Sequence, residues 1–128
     1  MASRRIPADD GRAAVAAWAR GTAERPAVAT AVRWTLQQLA DAAPGRTVEV
    51  RVPPHGVTQC VEGPRHTRGT PPNVVETDPD TWLSLATGRL TWSEAVASGA
   101  VRASGTRADL AGLVPLTSGR TEPGREAR

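Results

Sequence analysis

The chain has 128 residues, of which 39% are hydrophobic and 23% charged, and it carries a formal net charge of +3. That length predicts one domain, able to bury roughly two-thirds of the surface its unfolded chain exposes. All 16 basic residues are arginine and are interspersed with 13 acids, which predicts a solvated mixed surface and excludes the dense basic stripe of a nucleic-acid binder.

Two helices are expected first. Asp9 and Asp10 stand where an N-cap would, and Ala13 to Arg20 follow with high helix propensity before Gly21. After Pro26, a longer helix is predicted from about Ala27 to Ala43, stopped by Pro44-Gly45. Val28, Val32, Leu36, Leu39 and Ala43 recur at spacings of three or four and form one apolar stripe, while Arg33, Gln37 and Asp41 fall on another side. Such a stripe needs a partner, and the next segment supplies one. Val48, Val50 and Val52 alternate with Glu49 and Arg51, the pattern of a half-buried strand. Pro53-Pro54-His55-Gly56 reads as a turn and Gly56 to Glu62 as the return strand of a hairpin.

A loop rich in Gly, Pro and Arg follows from Gly63 to Asn73, and Val74-Val75 make a short third strand. Asp78 then reads as an N-cap, Pro79 as a first helical residue and Gly88 as the stop of a helix containing Trp82 and Leu85. Thr91 with Glu94 spells a capping box for a second short helix carrying Trp92 and Val96, closed by Gly99. Val101 to Ala103 reads as a fourth strand. A last short helix is predicted from near Thr106, with Leu110 and Leu113, before Pro115. Residues 117–128 have nothing to bury and are expected to be disordered. The reading is therefore a single α+β domain over residues 1–116, with N-terminal helices in 1–45 and a mainly antiparallel sheet plus short helices in 46–116. With no Phe or Tyr, its core must come from Trp, Leu, Val and Ala.

Catalytic and metal chemistry find little support. The two histidines, His55 and His66, and the single Cys60 lack the dense spacing that zinc ligation needs. Glu76, Asp78 and Asp80 precede a helix, where negative charge favours capping over an acid–base pair. Cys60 on an alternating strand reads as a small buried hydrophobe; a thiol-dependent reaction with His66 is the minority alternative. There is no GxGxxG or Walker loop, so no cofactor is expected. One cysteine precludes an internal disulfide and fits a reducing cytoplasm. No apolar run approaches the ~18 residues of a membrane span, and Arg4-Arg5 is not followed by a secretory signal's apolar segment. A cytoplasmic protein without stable membrane insertion is the expectation. The one loop hinting at more than connection is Gly63 to Asn73, where Arg65 and Arg68 flank His66 and could meet an acidic group. The other reading makes it a rigid crossover with solvated or ion-paired arginines.

The segment Asp80-Thr81-Trp82-Leu83-Ser84-Leu85-Ala86-Thr87-Gly88-Arg89-Leu90, then Ala95 to Gly99, Val101 to Gly105 and Leu110 to Leu113, resembles the sterol carrier protein type 2 family in a compact bacterial form. The likeness covers about a third of the chain, Thr77 to Leu116. It implies a sheet of about five strands with helices on one face and an apolar tunnel for fatty acids, acyl chains, sterols or other lipids, used for carriage rather than catalysis. On that reading Trp82, Leu85, Trp92, Val96, Leu110 and Leu113 form the apolar wall, with Arg65 or Arg68 at an acidic headgroup. A related resemblance is to the small C-terminal domain of mycothiol-dependent maleylpyruvate isomerase-like proteins. It supports an alternative: an accessory module with a filled core that homodimerises or docks on a partner.

Overall fold

A computed structural model describes residues 4–63 and 73–116. Helix α1 spans Ala8–Ala19 and begins earlier than an Asp9 or Asp10 cap would place it. Pro7 occupies the N-cap position, and both aspartates lie in the first turn, where their charge faces unpaired N–H groups. Helix α2, Arg25–Ala42, takes Pro26 into its first turn and buries Val32, Leu36 and Leu39 from the expected stripe. The two helices pack on each other. Gly11 makes this approach possible, because a Cβ there would clash with the indole ring of Trp34.

Strands β1 (Val48–Val52), β2 (Gly56–Cys60), β3 (Asn73–Thr77) and β4 (Val101–Ser104) form a sheet in the order β2-β1-β3-β4. β1–β2 and β3–β4 are antiparallel, and the central β1–β3 pairing is parallel, so the sheet is mixed. Four strands are present among the described residues, against the five or so that the family likeness implies. Register puts Val48, Val50, Val52, Cys60, Val75, Thr77 and Val101 on one buried face. The alternate residues make the other face. There Arg51 Nε meets Glu49 at 2.5 Å, and Glu76 accepts from Arg102 at 3.3 Å and faces Arg51 at 4.0 Å. A solvated row of paired charges keeps that face in water, and each exposed pair contributes at most ~1 kcal/mol.

The caps on the short helices form as their sequence signs specify. Asp78 accepts from the Thr81 N–H at 2.7 Å at the start of α3 (Pro79–Thr87), and Gly88 ends it at φ +84°. In α4 (Trp92–Ala97) Thr91 and Glu94 exchange hydrogen bonds of 3.1 and 3.0 Å. Those bonds to Thr91 hold the Glu94 carboxyl below its ordinary range. The final helix does not form. Asp109 accepts from the Ala111 N–H at 2.8 Å, Leu113 bonds back to the Leu110 carbonyl at 2.8 Å, and Pro115 arrives after this single turn. Buried Leu110 and Leu116 still anchor the segment, and the Leu116 N–H reaches the Ala86 carbonyl at 3.0 Å.

One polar contact lies inside the core. Trp82 is fully buried, and its Nε1–H donates to Thr35 Oγ1 at 2.7 Å. The Thr35 hydroxyl in turn has the Ala31 and Val32 carbonyls of α2 at 2.7 and 3.0 Å. α3 is thereby fixed to α2, and neither the indole N–H nor the Thr35 hydroxyl proton is left without an acceptor. A second tie is external: Trp18 Nε1–H donates to Asp80 at 2.8 Å, and the Arg89 guanidinium sits 5.1 Å over the Trp18 ring.

A Gly→Ala change in a helix interior ordinarily stabilises by ~0.5–1 kcal/mol. At Gly11 the sign is reversed, because the new methyl must displace Trp34. Gly11→Ala is expected to lower the unfolding free energy in urea titration by ~1–3 kcal/mol; a gain in stability would show that α1 does not sit on Trp34.

Candidate functional site

Between the helices and the inner sheet face lies one apolar layer, in which Val32, Leu39, Val50, Val75, Trp82, Leu83, Leu85 and Leu110 are completely buried. The structure distributes the expected wall residues unevenly. Trp82, Leu85 and Leu110 lie wholly within the layer; Trp92 and Leu113 pack on it half-buried, and Val96 is 44% exposed on α4. Leu90 and Val114 are also half-buried against it, so the layer reaches the surface along the segments that follow α3. Gly88 approaches Pro115 there, its position 3.5 Å from the ring for a Cβ. Arg65, Arg68 and His66 lie outside the described residues, as does the 117–128 tail.

Cys60 faces the core at the end of β2, and burial pushes its thiol up to about 11. It is therefore protonated at neutral pH and no nucleophile. His55 sits in the β1–β2 turn, with its carbonyl bonded to Arg33 Nε at 2.8 Å. Glu76 joins the outer charge row, Asp78 caps α3 and Asp80 holds Trp18, so these three acids each have a structural partner. Among the described residues, no group of three or more His, Cys, Asp or Glu side chains is placed to hold a metal ion. No helix among them is long and apolar enough to cross a membrane.

Residues 24–116 match the family described as bacterial SCP ortholog. The chain belongs to this sterol carrier protein-like family. The matched span runs from the cap of α2 through the sheet and both short helices to Leu116, so it contains the whole apolar layer except the contribution of α1. None of the curated proteins matches the chain. Helix α1 lies outside the matched span, packed on α2 and tied to α3 through Trp18.

A second concavity lies at the sheet edge, where the sequence showed only half of it. The arm before α1 returns along the polar side of α2. Arg5 meets Asp41 at 2.6 and 3.3 Å, and Gln37 exchanges hydrogen bonds of 3.0 and 3.1 Å with the backbone of Ile6. Asp41's hydrogen bond and charge raise the Arg5 pKa further, keeping its guanidinium charged. Between this arm, α2 and the hairpin turn is a cleft of about 470 Å³. The Arg33, Gln37, Asp41 stripe was visible in the sequence at helical spacing. Its pairing with the arm was not, because nothing local in Arg4-Arg5-Ile6 specifies a partner more than 30 residues away.

The Cys60 thiol gives a direct check. Ellman's reagent is expected to leave Cys60 unmodified at pH 8 in native protein and to label it fully in urea. Because the folded pKa is raised, the stability held by the neutral thiol is present below about pH 9 and is lost as the pH climbs through about 11. Rapid labelling of native protein at pH 8 would place Cys60 at the surface.

Proposed function

We propose that residues 1–116 form one carrier-type domain that binds an apolar or amphipathic small molecule, such as a fatty acid, an acyl chain or another lipid, without transforming it. The observation that carries this reading is the apolar layer between α2, α3 and one sheet face, lying almost wholly within a sterol carrier protein-like family span. Trp82, Leu85 and Leu110 would line the bound chain from inside, Trp92, Val96 and Leu113 would flank its entry, and Arg65 or Arg68 would meet an acidic headgroup. Because Trp82, Leu85 and Leu110 are completely buried, entry requires α3 and the segment after it to shift against the sheet. The rim of half-buried Leu90, Trp92, Leu113 and Val114 is the place for that shift. A mostly apolar wall with few polar groups suits such a ligand, and the protonated Cys60 adds no reactive group to it.

A second reading is favoured by the closure of the same layer. Trp82 has its one donor satisfied inside the core, as in an accessory module whose interior is permanently filled. Such a module would act through its surface, by homodimerising or docking.

Titration with a fluorescent fatty acid separates the two. The carrier reading expects saturable quenching of tryptophan emission at micromolar ligand, with lipid recovered by mass spectrometry from purified protein. Absence of binding across a panel of fatty acids, acyl esters and sterols would contradict it and leave the filled module.

A further inference from the structure

The edge cleft carries a more specific assignment, one that needs no opening of the core. Its walls are Ile6 from the arm, Leu36 and Ala40 from α2, and Gly56 and Thr58 from the hairpin, with Arg4, Arg5 and Arg33 around them. Gly56 lets the hairpin come this close, since a Cβ there would already stand 3.2 Å from Leu36. The charges are not balanced. Asp41, the one acid in the lining, is taken by Arg5 through a two-point ion pair. Arg33 uses only Nε, on the His55 carbonyl, and among the described residues its terminal nitrogens have no partner. Arg4 likewise has none among them. An open trough lined by Asp10, Ala13, Ala17 and Ala27 shares Arg4 and Arg33 with the cleft, so both arginines border two concavities.

Two unpaired guanidinium groups beside an aliphatic wall select a ligand of mixed character. A guanidinium presents two parallel N–H donors that match a carboxylate, and a cleft of about 470 Å³ is within the ~300–1,000 Å³ range of small-molecule sites. We propose that this cleft binds an amphipathic carboxylate, with its anionic head on Arg33 and Arg4 and its aliphatic chain against Ile6, Leu36 and Ala40. The pinned arm is part of the site: Gln37 and Asp41 hold Ile6 and Arg5 in place before any ligand arrives, so little ordering is needed on binding.

The test is a proton–nitrogen NMR titration of the full chain with decanoate and, separately, decan-1-ol. Decanoate is expected to shift the amides of Ile6, Gly56, Val57 and Thr58. Decan-1-ol, equal in chain length but uncharged, should bind about tenfold more weakly or less. Arg33→Gln should weaken decanoate about tenfold and leave decan-1-ol unchanged. Arg4→Gln, which disturbs no other contact, should weaken decanoate in the same direction even if Arg33→Gln loosens the hairpin. Equal affinity for acid and alcohol, or insensitivity to both variants, would overturn the assignment. So would decanoate shifts centred on Trp82, Trp92 and Leu113, which would support the interior carrier site instead. Shifts confined to the cleft would uphold the assignment even if the core takes up no lipid.

Discussion

The arrangement of this fold depends on one buried hydrogen bond. Trp82 is the largest of the fully buried side chains, and it brings into the core one N–H that has no access to water. Burying that donor unpaired would cost ~1–3 kcal/mol. Thr35 removes the cost with a hydroxyl that is itself satisfied by the α2 backbone. The geometry leaves α3 little freedom to rotate or slide along α2. In a chain without Phe or Tyr, the position of α3 is fixed by this contact and by the aliphatic residues of the same core. Leu83 and Leu85 on α3 and Val50 and Val75 on the sheet belong to the same buried cluster as the indole.

Much of this was legible from local signs. The Asp78-Pro79 start, the Gly88 stop and the Thr91–Glu94 box each act within a few residues and appear where the sequence puts them. The alternation of Val48, Val50 and Val52 likewise fixes which face of β1 is buried, because a strand's side chains alternate strictly. What could not be read was non-local. The parallel pairing of β1 with β3 depends on how the chain passes from Cys60 to Asn73, and periodicity is silent on that. Gly11 resembles any weak point in a helix until Trp34 is placed on it. The predicted helix after Thr106 failed for a local reason, since Asp109 and Pro115 leave room for one turn only.

The same distinction runs through the candidate sites. The apolar residues picked out by helical spacing do join one layer, but spacing does not say which of them would be sealed and which would reach the surface. Trp82 and Leu85 are sealed; Trp92 and Leu113 are not. For a sterol carrier protein-like domain this has a mechanical consequence. Under the proposed carrier function, a ligand entering the layer would have to strain the Trp82–Thr35 contact or pass beside it. The edge cleft has no such constraint, since its walls are an arm, one side of a helix and a hairpin turn that are already apart. Charge reinforces the contrast: the layer is uncharged, whereas the cleft keeps unpaired arginines beside aliphatic carbon.

The claim that this hydrogen bond organises the core is most directly tested by a double-mutant cycle with Thr35→Val and Trp82→Phe, read as unfolding free energies in urea. Thr35→Val should cost ~1–3 kcal/mol when Trp82 is present, since the indole N–H is then stranded. With Phe at position 82 the same change should cost less than ~0.5 kcal/mol, because no donor remains to be satisfied. An equal cost in both backgrounds would mean that Thr35 and Trp82 are not coupled, and that α3 is held on α2 by packing alone.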